Sequence, residues 1–453
     1  MANTQHDTIV AIATAPGRGG VGVLRISGTN CTHIARSMLG ALPRTRHAIL
    51  HAFKDADGNS IDTGLVLYFA APASFTGEDV LELHGHGSPV VLDMLLHRVI
   101  ELGARLAEPG EFSRRAFLND KLDLVQAEAI ADLIGAESAQ SARAAMRSLQ
   151  GEFSDRLHDL TEALIQTRMH VEAAIDFPEE ELDLMQDQIL LQRLQHTTEL
   201  CNRIRQQARS GSALREGMTV VIAGKPNAGK SSVLNCLAGY EAAIVTDLPG
   251  TTRDVLRERI LVDGMPIHIL DTAGLREASD RIEAEGVRRA HAEIRRADHL
   301  LYVVDASNYE EQQLQVALSE LPSDTAVSIL MNKCDLIERV AVAASPDSSV
   351  HPRFYISTIN NAGIDHLREH LKLVAGYVTA ESGLFLARRR HLTALQRASD
   401  HIQIAQRNLL DHHAGELCAE ELRLAQNDLA EITGEFTSDD LLGRIFSSFC
   451  IGK

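Results

Sequence analysis

Hydrophobic spacing changes character three times along the chain. Residues 8–13 and 21–27 are short β-branched runs separated by Pro16-Gly17-Arg18-Gly19-Gly20, the pattern of a hairpin. Residues 64–70 and 79–84 read as further strands and 89–102 as a helix, so residues 1–120 are mixed α/β. From residue 121 the period becomes helical: Val125, Ala129 and Leu133 share a face, as do Phe153, Leu157, Leu160 and Leu164. Pro178 and the acidic run Glu179-Glu180-Glu181 interrupt it. Another helix is expected over 182–208, with residues 211–217 as a short linker. Apolar runs at 219–223, 260–262, 267–270, 299–304, 327–331 and 353–356 then alternate with helical spacing, which predicts a mostly parallel sheet with helices on both faces. Helical spacing returns in Leu392, Leu395, Ile402 and Leu409, and again in Leu422, Ala425, Leu429 and Ile432. Helices on either side of a self-contained α/β unit predict an insertion. The expected domains are an α/β unit over 1–120, a discontinuous helical domain over 121–215 and 380–453, and an inserted α/β domain over 216–379.

Composition narrows the partners. A formal net charge of −18 disfavours non-specific binding to nucleic acid or anionic membrane, so any RNA contact needs a local basic patch. Arg388-Arg389-Arg390 and the group Arg203, Arg205 and Arg209 are the candidates. Tryptophan is absent and aromatics make up 4% of the chain, which removes an obvious stacking platform for single-stranded nucleic acid. The cysteines are scattered without a C-x-x-C pair, arguing against a zinc site or disulfide framework and for a reducing cytoplasm. No signal-peptide pattern and no long apolar stretch is evident, so a cytoplasmic protein with no membrane partner is expected.

The chemistry begins at Gly224-Lys225-Pro226-Asn227-Ala228-Gly229-Lys230-Ser231, between a strand pattern and a helix pattern. That context turns G-x-x-x-x-G-K-S into a phosphate-binding loop. Backbone N–H groups of Asn227, Ala228, Gly229, Lys230 and Ser231 can converge on β-phosphate oxygens at the helix N-terminus. Lys230 would bridge the β- and γ-phosphates, and the Ser231 hydroxyl would sit on Mg²⁺. Asp271-Thr272-Ala273-Gly274 closes a strand about 40 residues beyond the lysine; its carboxylate can hold a magnesium-bound water and its glycine N–H can sense a γ-phosphate. Asn332-Lys333-Cys334-Asp335 ends another strand, where Asp335 can accept both guanine donors, N1–H and N2–H₂, a pair that adenine lacks. Ser357 and Thr358 follow the next strand, where a loop covers the base. Four such elements in order identify a guanine-nucleotide switch domain of Ras-like P-loop type. The loop Thr246-Asp247-Leu248-Pro249-Gly250-Thr251-Thr252 supplies a threonine for magnesium and so reads as the first switch. Leu275 stands where small regulatory GTPases carry a water-orienting glutamine, so hydrolysis needs help from elsewhere.

The run from Gly224 to Ser232, the Gly-Thr-Thr-Arg-Asp switch and Asp-Thr-Ala-Gly-Leu-Arg-Glu resemble the TrmE–Era–EngA group of GTPases. Ala-Pro-Gly-Arg-Gly-Gly-Val-Gly, Thr-Gly-Glu-Asp, Gly-Glu-Phe-Ser-Arg-Arg-Ala-Phe-Leu-Asn and the terminal Phe-Cys-Ile-Gly-Lys narrow the resemblance, over the whole chain, to the MnmE (TrmE) family of tRNA-modification GTPases. The resemblance implies a homodimer joined through N-terminal domains that also bind a tetrahydrofolate one-carbon derivative, 5-formyl- or methylene-tetrahydrofolate. It implies a flavoprotein partner, MnmG, forming a heterotetramer that adds carboxymethylaminomethyl or aminomethyl groups to C5 of wobble uridine in tRNA. Hydrolysis of GTP would be driven by potassium-dependent pairing of GTPase domains. The implied potassium ligands are Asn227, Thr246, Leu248 and Thr251, with Thr252 as the magnesium threonine and Glu283 as the water-positioning acid. The implied folate residues are Arg25, Glu82, Lys121 and Lys453, and Cys450 is placed near the modification chemistry. The competing reading is an RNA-binding assembly GTPase without chemistry of its own. Such a switch has no need of the folate residues or of the terminal Cys-Ile-Gly-Lys. Phe436, Ile445, Phe446 and Phe449 carry too much apolar surface for a loose tail, so residues 435–453 are expected to dock as a helix, bringing Cys450 and Lys453 toward Arg25 and Glu82.

Overall fold

The computed structural model describes residues 7–176, 187–239, 257–271, 294–295, 297–322, 325–337, 351–378, 383–435, 439–450 and 452. The chain divides into two compact units. One comprises Met1–Ala131, Leu149–Ser154 and Asn427–Lys453, the other Asp132–Ser148 and Asp155–Gln426.

The first unit is built on six strands: β1 (Ile9–Ile12), β2 (Gly19–Ser27), β3 (Ile49–Lys54), β4 (Ser60–Phe69), β5 (Val80–Gly87) and β6 (Arg105–Leu106). Their order is β3-β4-β5-β2-β1-β6, with the expected β1–β2 hairpin in antiparallel register and β6 parallel to β1. Helices α1 (Cys31–Leu39) and α2 (Pro89–Glu101) cover one face. Period-2 alternation turns Leu24, Ile26, Leu81 and Leu83 toward Ile34, Met38, Leu95 and Val99 to make the core. The same alternation places Arg25 on β2 and Glu82 on β5 on the opposite face, where they are register partners. Helix α3 (Glu111–Leu118) and the start of α4 (Leu124–Ile134) belong to this unit as well. Further along the chain lie helices α5 (Ala139–Leu149), α6 (Glu152–Asp176), α7 (Gln188–Glu216), α8 (Lys230–Ala238), α9 (Glu311–Ser319), α10 (Ile364–Ala375), α11 (Arg389–Leu410), α12 (Gly415–Thr433) and α13 (Asp439–Ser447). The last of these is the expected terminal helix. Its Ile445, Phe446 and Phe449 pack on Leu124 and Ala127 of α4, with the Phe117 and Phe446 rings 6.3 Å apart.

The second unit holds a six-stranded sheet of β7 (Met218–Gly224), β8 (Arg257–Val262), β9 (Met265–Asp271), β10 (His299–Asp305), β11 (Val327–Asn332) and β12 (Arg353–Tyr355). Its order is β12-β11-β10-β7-β9-β8, parallel except for β8, which pairs antiparallel with β9 at the edge. Every residue of β11, an interior strand between β12 and β10, is buried, as a parallel strand covered on both faces requires. The expected mixture of α/β and all-α parts is therefore present. One expectation needs correction: residues 211–217 are not a linker, because α7 continues to Glu216. The backbone of Gly211 lies against the Phe385 carbonyl, leaving no room for a Cβ, so the glycine marks a close approach inside the helix. Among the described residues no helix is long and apolar enough to cross a membrane.

Candidate nucleotide site and a basic-acidic cluster

Strand β7 ends in Gly224 at φ +144°, where a side chain would run into the carbonyl of Val303 on β10. The loop then turns through Asn227 at φ +60° and Gly229 at φ +97°, and Gly229 caps the N-terminus of α8. A Cβ on Gly229 would meet the Asn332 amide, so glycine is demanded by space as well as by conformation. Lys230 opens α8, and its ammonium donates to the carbonyls of Gly224 at 3.1 Å and Lys225 at 3.0 Å. Ser231 and Ser232 follow it in the first turn, both exposed. The N-terminus of α8, with its backbone N–H groups and the lysine, offers positive potential to an anion.

Two parts of the base-recognition motif, Asn332 and Lys333, lock onto this loop. Asn332 Nδ2 donates to the Ala228 carbonyl at 3.0 Å, while Asn332 Oδ1 is buried without a hydrogen bond. Lys333 donates to the Asn227 carbonyl at 3.0 Å and to Asp305 Oδ2 at 2.5 Å. Asp335 is exposed at the start of a short 3₁₀ turn, Cys334–Ile337, with its carboxylate accessible to a base. Ser357 is buried and its N–H donates to the Ala362 carbonyl, closing the loop that contains Thr358. A glycine cradle, a lysine, an accessible carboxylate and an open buried acceptor form a donor and acceptor set that fits a guanine nucleotide.

Two residues that the motifs did not single out complete the frame. Asp305 ends β10 and anchors Lys333; burial pushes its carboxyl up, but the bonds from Lys333 and Ser307 leave it below the ordinary carboxylate range. The signal in the sequence is a carboxylate at a strand end, in register with Asn332 of the neighbouring strand. Cys236 of α8 donates to the Thr358 carbonyl at 3.3 Å and so ties the phosphate helix to the base loop. Of the remaining predicted residues, Asp271 ends β9. Thr246, Asp247, Leu248, Pro249, Gly250, Thr251, Thr252, Thr272, Ala273, Gly274, Leu275 and Glu283 lie outside the described residues.

In the first unit, Arg25 Nε donates to Glu82 Oε1 at 2.8 Å and Arg25 Nη1 to the Gly452 carbonyl at 3.4 Å. His84 Nε2 lies 3.0 Å from Glu82 Oε2. Burial raises the Glu82 carboxyl, yet the Arg25 charge and the His84 bond outweigh it and hold the group below the usual range. The guanidinium also lies 5.8 Å from the Phe75 ring and 5.9 Å from the Phe112 ring. The terminal segment thus reaches this face: the Cys450 carbonyl accepts from Gly110 N–H, and Cys450 itself is exposed. Lys121 is exposed beyond α3, and among the described residues no bond joins its side chain to Arg25 or Glu82; Lys453 lies outside them. His86 is held by Asp62 at 2.8 Å rather than sharing a ligand with His84. Two of the arginine candidates are engaged within the second unit, Arg388 by Asp132 at 2.7 Å and Arg205 by Ser399 at 2.8 Å.

Comparison with known proteins gives the family. A profile of the GTP-binding protein TrmE N-terminus matches residues 8–121, and one of the MnmE helical domain matches residues 124–450. The tRNA modification GTPase MnmE of Hydrogenovibrio crunogenus is 55% identical over 448 residues, 99% of this chain and 99% of that protein. Among solved structures, the G domain of the T. maritima FeoB iron transporter is 25% identical over 35% of this chain and 98% of its own, with a TM-score of 0.27. A variant of Aquifex aeolicus Era bound to GDP and AlF₄⁻ is 22% identical over 41% of this chain and 67% of its own, with a TM-score of 0.26. The long relative and the two profiles settle the family: the chain belongs to the MnmE (TrmE) family of tRNA modification GTPases.

Proposed function

We propose that this GTPase couples GTP hydrolysis at the Gly224–Ser231 loop to modification of tRNA, adding carboxymethylaminomethyl or aminomethyl groups to C5 of wobble uridine together with an MnmG-type flavoprotein. The observation that carries the reading is the Arg25–Glu82–Gly452 cluster, which brings the Cys450 segment onto a charged face outside the GTPase sheet. A pure assembly switch has no use for it. Arg25 suits the carboxylates of a folate and Glu82 its pterin N–H donors, with Lys121 and Lys453 as further cations. A bound one-carbon folate would supply the carbon unit, and Cys450 is exposed for contact with a partner or substrate.

At the nucleotide, Ser231 and Thr252 would hold Mg²⁺, which neutralises phosphate charge. Asn227 with Thr246, Leu248 and Thr251 would hold K⁺, adding positive charge where Leu275 gives no help, and Glu283 would orient water. Lys333 fixes the Asn227 carbonyl and thereby the loop from which that side chain projects. Pairing of GTPase domains within a homodimer and a cytoplasmic setting complete the proposal.

Two measurements test it. Replacing potassium by sodium should lower GTP turnover at least about tenfold, about 1.4 kcal/mol of barrier, and Asn227→Ala should lose the potassium response. Equal turnover in both salts overturns the potassium assignment. Mass spectrometry of wobble nucleosides should show the modification lost in a deletion strain and restored by the intact gene; unchanged nucleosides overturn the tRNA assignment.

A further inference from the structure

Strands β8 and β9 are joined by two residues, Asp263 and Gly264, at φ +49° and +82°. Both lie in the left-handed region, the requirement of a type I′ hairpin turn, and Asp-Gly is a favoured sequence for it. Strand β8 starts at Arg257, just after the Thr246–Asp254 switch, and β9 ends at Asp271, where Asp-Thr-Ala-Gly begins. The hairpin therefore connects both nucleotide-sensing segments to a single turn.

That turn is gripped from two sides. From α10, Arg368 Nη2 donates to Asp263 Oδ1 at 2.7 Å and Lys372 Nζ to Asp263 Oδ2 at 2.6 Å. Lys372 is buried and also donates to Glu369 Oε1 at 2.6 Å. From the helical flank comes α5. The Tyr377 hydroxyl donates to Gln140 Oε1 at 2.6 Å and lies 3.1 Å from the Asp263 carbonyl. Its single hydrogen can serve only one of these two acceptors at a time, so the hydroxyl sits between Gln140 of α5 and the turn without bonding both at once. Gln140 also presses on Gly264 so closely that a Cβ there would have to displace its side chain. Ala144 and Ala145 of α5 enter the same hydrophobic core as Val262 and Met265 on either side of the turn. A hairpin held this way cannot tilt or slide without carrying α5 and α10 or breaking these bonds.

We propose that the Asp263–Gly264 turn is the joint through which the nucleotide state reaches the helical flank, with Asp263 and Tyr377 as positioning residues for the coupled reaction. The proposal rests on reading residues 246–254 and 271–274 as nucleotide-sensing switches. It gives α5 a role in tRNA modification although α5 supplies no residue to the nucleotide loop.

Hydrogen exchange on the full chain, with GDP and then with a non-hydrolysable GTP analogue, tests it. In the wild type, exchange in both β8–β9 and α5 should differ between the two nucleotides by at least about threefold. Tyr377→Phe removes one hydroxyl and should abolish the α5 difference while leaving the β8–β9 difference and nucleotide affinity within about twofold. Asp263→Asn keeps a residue tolerant of positive φ but weakens the grip of Arg368 and Lys372, so it should reduce the response of α10 while leaving nucleotide affinity within about twofold. If β8–β9 does not respond in the wild type, the switch assignment fails and the joint with it. If β8–β9 responds but α5 does not, or if α5 still responds in Tyr377→Phe, the joint alone is overturned. A variant that merely melts at lower temperature with its α5 response intact also overturns it, since that is the signature of a purely structural contact.

Discussion

His299 and His370 share one hydroxyl. Ser328 Oγ lies 2.9 Å from His299 Nε2 and 2.8 Å from His370 Nε2, between β10, β11 and α10. A hydroxyl can donate only once, so one of the imidazoles donates to it and the other accepts. His299 Nδ1 is buried with no partner, and an orphaned N–H costs more than an orphaned lone pair; the proton therefore sits on Nε2, and His299 is neutral. Burial, reinforced by His370, pushes its pKa down to about 4. The unfolded chain, with an ordinary value near ~6.5, binds more protons between those limits, so stability is full above that range and declines as pH falls toward 4. The slope should approach about 1.4 kcal/mol per pH unit. His299→Asn should flatten it, measured as the urea midpoint by circular dichroism from pH 7 to pH 5 or so. A midpoint in the wild type that does not fall over that range would show that His299 is not held neutral.

How much of each element was legible depended on how local its cause is. The phosphate loop is readable because its glycines, lysine and serine act within one turn, and Gly224 and Gly229 stand where the chain requires them. The docked tail is readable because Ile445, Phe446 and Phe449 carry too much apolar surface to stay in water. Gly211 misled, since its reason is the Phe385 carbonyl more than 170 residues away, and no local pattern encodes that contact. The Arg25–Glu82 pair is a register relation between β2 and β5, invisible to spacing, and only the family resemblance pointed to it. Strand β3 is short and alternates only weakly, and helix α1, although Cys31, Ile34, Ala35, Met38 and Leu39 repeat at full helical spacing, spans only nine residues. The docked tail makes an element-scale prediction. Each of the buried phenylalanines contributes roughly 1.5–3 kcal/mol by area, so α13 should stay docked when only residues 450–453 are deleted. That deletion removes the Gly452 contact to Arg25 and should weaken folate binding and abolish wobble modification, while GTP hydrolysis continues. If the truncated chain binds 5-formyltetrahydrofolate as tightly as the full one, the tail is no part of that pocket.

At the scale of the molecule, the proposed insertion has two ends that need to be held together. The chain leaves α7 at Glu216 to enter β7, and it returns at Arg388 to start α11. Asp132 reaches both: its Oδ1 accepts from Arg215 Nε at 2.8 Å and from Arg388 Nη2 at 2.7 Å. Ser148 adds a second clasp, its hydroxyl accepting from the Leu386 N–H at 2.9 Å. Beneath these bonds Ala213, Leu214, Leu384 and Leu386 join the same core as Met218, Val220 and Met265 of the sheet. The apolar part sets the strength of the attachment, and the polar part sets its register. The Asp132 side chain is only 8% exposed and its partners are 29% and 14% exposed, so this pair is worth more than an open surface ion pair and less than a fully buried one. Asp132→Ala should therefore cost about 1–3 kcal/mol and lower the melting temperature by roughly 2–12 °C, at about 2–4 °C per kcal/mol for a unit of this size. Nucleotide affinity at 20 °C or so should stay within about twofold, because no atom of the loop depends on Asp132. Asp132→Asn keeps the Oδ1 acceptor for both guanidiniums but loses the charge, and should show about half the loss. A melting temperature unchanged to within about one degree in Asp132→Ala would mean that the apolar core holds both ends unaided.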